Sequence, residues 1–157
     1  SFGSRGLGPQ CTNRKRTVFP RQRARDAQAA ARWLTSQPGI DARRIALVGW
    51  SNGGSTVLYA VQGGGPAPTP DFRAAIAFYP GCRAPMERVP DLSRAANVRY
   101  VEYEGAYHGF DGDSPIRVRR GLAFTANGSG IAHQGADPKA RAASIAEVTA
   151  ILAAAFK

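Results

Sequence analysis

Cysteine is scarce in this sequence, and so are histidine, acidic side chains and long apolar runs. Its 157 residues hold two cysteines, two histidines and eleven carboxylates. Cys11 and Cys82 stand far apart, belong to no C-x-x-C unit and form no metal-ligand cluster with the histidines, so no metal is implied. A disulfide between them would need their Cα atoms within about 7 Å, which sequence separation leaves open. No apolar run approaches the ~20 residues of a membrane span, and the opening SFGSRG has no signal-peptide core, so a soluble chain without a membrane partner is expected. The same opening lacks a methionine, leaving processing, trimming or an upstream segment open.

Few carboxylates against twenty-one basic side chains leave a net charge of +10. Arg14, Lys15, Arg16, Arg21, Arg23 and Arg25 crowd one short stretch with few aromatics between them. Such a run reads either as a polyanion patch or as a solvated loop and helix face. Basic residues recur along the whole chain, so the solvated face is the expectation and a nucleic-acid partner is not. A hydrophobic content of 43% over this length suits one domain, residues 1–157, with a core of its own.

Residues 1–19 carry glycine, proline and charge without periodicity and read as a surface loop. A helix is expected from Pro20, with Ala27, Ala30, Ala31 and Leu34 on one face, ending near SQPGI. A buried strand over residues 45–48 then leads into a helix reaching about Gln62, and GGGPAPTP breaks the chain. Residues 75–79 form a second strand, stopped by Pro80 and Gly81, and Val98 to Glu104 alternate as a third. Asn127-Gly128 suits a hairpin turn between the apolar runs of GLAF and IAH. Asp137-Pro138 suits a helix cap, and Ile145, Val148, Ile151, Leu152 and Phe156 line one face of a closing helix, residues 138–156. Strands separated by helix-length segments predict an α/β fold, a parallel sheet flanked by helices, with chemistry outside the carboxyl ends of its strands.

At one such end stands VGWSNGG. Gly49 and Gly53 lie two residues either side of Ser51, and Gly54 follows. The pattern is the G-x-S-x-G of a nucleophile elbow, in which a strained turn lifts a serine hydroxyl above the strand and only small neighbours leave room. A glycine-rich turn with an incidental serine is the plain alternative; the strand before and helix after favour the elbow. The Asn52 N–H then serves as an oxyanion donor, helped by the positive end of the helix. His108, in EGAYHGFD, is the candidate base, with Gly105 and Gly109 loosening its loop; His133 reads as an ordinary surface histidine.

The stretches SFGSRG, RARDAQAAARWL, RIALVGWSNGGS, AIAFYPGC, VEYEGAYHGFD and GLAF…GSG…H follow one another in an order that resembles the dienelactone hydrolase-like branch of the α/β-hydrolases. The resemblance implies a serine hydrolase of small carboxylic esters or lactones, with Ser51 at the nucleophile position, His108 at the base position and no cofactor. Some members of that branch use cysteine as nucleophile; here the position is serine. In the family several strands precede SFG and their loop carries a second oxyanion donor, and a further strand before the histidine carries the catalytic aspartate. Neither has a counterpart in this sequence, which implies a truncated, minimal version of the fold. Glu87, Asp91, Asp111, a partner chain or nothing supplies the acid. The unpaired sheet edges of so small a fold favour a homo-oligomer, and the rival expectation is a weak or inactive hydrolase remnant acting as a self-associating scaffold.

Overall fold

A computed structural model describes residues 3–8, 18–62, 72–81, 98–123, 125 and 127–157. Cys11, Cys82, Glu87, Asp91, the basic run Arg14–Arg16 and the GGGPAPTP breaker lie outside them. The chain divides into two compact units, one of residues 19–99 with 149–157 and one of residues 1–18 with 100–148.

The first unit is the α/β one. Helix α1, Pro20–Thr35, starts with proline at its first position, where the missing N–H costs nothing. Ala24 and Ala31 are its buried residues, and Ala30, expected on the same face, is exposed. The reason is angular: position 30 lies most of a half-turn from position 24, whereas 24, 27, 28 and 31 share one stripe. Strand β1, Ala46–Trp50, pairs in parallel with β2, Ala74–Phe78, in a register that sets Ala46 beside Ala74 and Trp50 beside Phe78. Between them runs helix α2, Asn52–Val61, packed on both strands and on α1. Val57 and Ala60 of α2 are buried, as are Ala24 and Ala31 of α1 and Ile45 ahead of β1, and Gln28 of α1 donates to the Ala60 carbonyl at 3.2 Å. Trp50 stacks on Phe78 with ring centroids 5.6 Å apart.

Among its described residues the second unit holds a 3-10 turn, Gly3–Arg5, and an antiparallel pair, β3 (Arg117–Arg119) with β4 (Ala132–Gln134). An antiparallel connection around Asn127-Gly128 is therefore present, but its first strand is Arg117–Arg119 and not GLAF. The turn is built by Gly128 and Gly130, both at positive φ, and by the Asn127 carboxamide, which accepts from the Ser129 N–H at 3.1 Å.

Helix α3, Pro138–Ala155, begins in this unit and ends in the first. Asp137 caps it as expected: its Oδ1 accepts the Ala140 N–H at 2.9 Å. In the first unit its last turn is tied by Arg73, which donates to the Ala155 carbonyl at 3.2 Å. Ile145, expected on the packed face, is 56% exposed, and Ala140 and Ser144 are buried instead.

The third strand does not form. Residues 98–103 lie in no strand, and Val98, Tyr100 and Val101 are exposed. Alternation of side chains is a necessary sign of a half-buried strand, but a strand exists only when its backbone finds a ladder. The parallel sheet among the described residues is thus two-stranded. No helix among them is long and apolar enough to cross a membrane.

Candidate functional site: a strained serine at the head of a helix

Ser51 stands between β1 and α2 with φ 54° and ψ −119°. A non-glycine residue in that region is strained by about 1–3 kcal/mol, so its surroundings must hold it there. They do so on both sides: the Ser51 N–H donates to the Phe78 carbonyl at 3.0 Å, and the Ser51 carbonyl accepts from the Ser55 N–H at 3.0 Å. Serine is a good helix cap, yet the Ser51 hydroxyl makes no capping bond to α2. The extended backbone usual for a capping serine is replaced here by the strained one.

The glycines divide their work unequally. A Cβ on Gly49 would run into the Gly53 carbonyl oxygen and come within 2.8 Å of Val57, and one on Gly54 would meet the Phe78 carbonyl oxygen at 2.6 Å. A Cβ on Gly53 meets nothing within 4 Å. Clearance for the elbow therefore comes from Gly49 and Gly54, and the small-neighbour argument does not extend to Gly53.

Asn52 opens α2, where N–H groups have no intrahelical acceptor. Its side chain accepts a hydrogen bond from Arg23 of α1, Nη1 to Oδ1 at 2.6 Å. Behind it, the buried Ser55 hydroxyl accepts from the Gly81 N–H at 2.9 Å and so pins the turn after β2. That turn contains Tyr79 at φ 32°, a second strained residue beside the first. Sequence reasoning missed Arg23 and Ser55; the available signal was that Ser55, with Thr56, is a short polar residue directly ahead of the apolar run of α2.

In the other unit, His108 follows no strand and makes a single parallel bridge with Gln134. Its carbonyl accepts the Gly135 N–H at 3.1 Å and the Phe110 carbonyl accepts the Asp137 N–H at 2.9 Å, so the loop is laced to the end of β4. Phe110 is buried against Tyr103. His108 is exposed as a whole residue, yet the atoms around its ring desolvate it enough to push its pKa below the ordinary histidine value. The Asp111 carboxylate opposes that shift. His133 is exposed on β4 and stacks on Tyr107 at 4.9 Å. Among the described residues no group of His, Cys, Asp and Glu has the makings of a metal site.

The strained serine on a strand-to-helix turn, between a parallel pair, is the geometry a hydrolase elbow requires. A model of the prolyl oligopeptidase family matches residues 2–86, more than half of the chain. The chain belongs to the prolyl oligopeptidase family. It is thereby a hydrolase of the α/β-hydrolase superfamily. No curated protein and no solved structure matches it. The prolyl oligopeptidase match contains α1, β1, the Ser51 turn, α2 and β2, and stops short of His108. Ser51 and Asn52 thus fall together in the matched α/β unit, and His108 and Asp111 fall together in the second unit.

Proposed function

We propose that the protein cleaves small carboxylic esters or lactones through an acyl-enzyme on Ser51, in the manner of the dienelactone hydrolase-like branch. The observation that supports this most strongly is the Ser51 backbone, φ 54° at the head of α2 with its hydroxyl withheld from capping. In this reading the Ser51 Oγ attacks the acyl carbon while the His108 imidazole takes its proton. The carbonyl electron pair moves onto oxygen, where the Asn52 N–H and the positive end of α2 stabilise it. Collapse expels the alcohol, which leaves with the proton held by His108; water, deprotonated by the same imidazole, then frees the acid. Of the candidate acids, Asp111 lies among the described residues, three positions after His108, and its charge favours the protonated imidazole formed in each step.

The experiment is a p-nitrophenyl ester panel on the wild type beside Ser51→Ala, with peptidyl p-nitroanilides in parallel. Ester turnover falling by about 10⁴-fold or more in Ser51→Ala is the expected result. Undiminished turnover in that variant overturns the reading. Turnover of the anilides but not the esters would replace it with a peptidase, the activity for which the matched family is named.

A second reading, a self-associating scaffold on a hydrolase fold, is favoured by the two-stranded parallel sheet and by the exposed Trp33 and Trp50 in the same unit. The two readings part on Ser51 reactivity toward an acyl-serine probe.

A further inference from the structure

We propose that Arg23 is a positioning residue for the oxyanion donor, its guanidinium holding Asn52 so that the Asn52 N–H points at the acyl oxygen. The inference rests on the Ser51 hydrolase reading. Beyond the backbone ladder of α2, Asn52 makes two side-chain-mediated hydrogen bonds, one from α1 and one from the next turn of α2. Arg23 donates to its Oδ1 at 2.6 Å across 29 residues of sequence, and the buried Thr56 hydroxyl donates to its carbonyl at 2.9 Å.

The second bond holds one side of the residue and the first holds the other. Such bracing has a purpose at this position. The peptide carrying the Asn52 N–H is set by Ser51, and Ser51 is strained; a strained residue relaxes unless its neighbours over-determine it. A charge-assisted bond from a planar guanidinium is short and directional, which suits a brace better than a lysine ammonium on a flexible stem. Arg23 sits beside the buried Ala24 on α1, and α1 packs on α2, so the brace is itself anchored by the core. Burial draws the Arg23 pKa down and Asp26 pushes it back, and a guanidinium stays charged under both influences.

The test compares wild type, Arg23→Met, Arg23→Lys, Asn52→Ala and the double variant Arg23→Met/Asn52→Ala on a p-nitrophenyl ester, with thermal melting alongside. Asn52→Ala removes the side chain that Arg23 grips and keeps the backbone N–H. The expected result is a kcat loss of about tenfold or more in Arg23→Met with KM little changed, since a misaimed donor harms the transition state more than substrate binding. Asn52→Ala should lose a similar factor, the double variant no more than either single, and Arg23→Lys should recover part of the loss. Unchanged kcat in Arg23→Met overturns the proposal. Losses that multiply in the double variant overturn it too, because they would mean that Arg23 acts on the reaction without Asn52. If Arg23→Met melts before assay, Asn52→Ala and Arg23→Lys decide: full kcat in both overturns the brace. Failure of the underlying reading shows differently, as wild-type turnover that Ser51→Ala leaves intact.

Discussion

At the scale of single residues, Ser51 carries a conflict between stability and chemistry that can be measured. Its φ of 54° is tolerated by glycine and resisted by any residue with a Cβ. Ser51→Gly relieves the strain, worth about 1–3 kcal/mol, at the cost of about 0.5–1 kcal/mol for glycine's extra freedom in the unfolded chain. Ser51→Gly should therefore be more stable than Ser51→Ala in urea unfolding, the reverse of the usual order, while both lack ester turnover. Equal midpoints, or alanine ahead, would show that the turn is not strained in solution. His108 gives a second test. Desolvation favours its neutral form, so the fraction competent as a base persists below the ordinary histidine pKa of about 6.5, and the acid limb of kcat/KM should lie below that value. Asp111 raises the His108 pKa, so Asp111→Asn should move the limb further toward acid and lower the plateau. A limb that moves upward contradicts the sign. His108→Ala should be nearly as damaging as Ser51→Ala, and His133→Ala should change little.

Among elements, the strand–turn–helix unit was legible because everything that makes it is local. Gly49, Ser51 and Gly54 lie within six residues, and their roles follow from backbone room and φ alone. The Asp137 cap was legible for the same reason. Residues 98–104 were misread because alternation reports which faces a strand would have, and not whether another strand lies alongside. The Arg23–Asn52 bond was invisible because its partners are 29 residues apart and Arg23 stands in a run of arginines that reads as solvated. The elbow nonetheless makes a discriminating prediction within one motif. Gly49→Ala and Gly54→Ala drive a Cβ into backbone that cannot yield cheaply and should cost at least about 1–3 kcal/mol, the usual range for overpacking. Gly53→Ala has open space and lies in a helix, where alanine is preferred to glycine by about 1 kcal/mol, so it should be neutral or stabilising. Chemical unfolding of the three variants checks the order, and a Gly53→Ala variant as damaged as the other two would mean that the glycines act together.

For the whole molecule, charge and apolar exposure pull in opposite directions. A parallel pair of five-residue strands is short of what an isolated sheet needs, and the self-association proposed above would give β1 and β2 further ladder partners and cover Trp33 and Trp50. Against this stands a net charge of +10, which repels a second copy. The repulsion is long-ranged and screened, with a Debye length of about 30 Å at 0.01 M salt and about 8 Å at 0.15 M; burial of apolar surface is not weakened by salt. Association driven by apolar surface and strand pairing should therefore strengthen as salt is added, the opposite of what paired charges between copies would do. Sedimentation velocity over a range of protein concentrations at low and at physiological ionic strength distinguishes the cases. A weight-average mass that rises with both concentration and salt is the expected outcome. A monomer at every condition removes the scaffold reading and leaves the elbow to act alone; an assembly that salt dissolves would place charged side chains at the contact and point to the few carboxylates, set against the abundant arginines, as what holds the copies together.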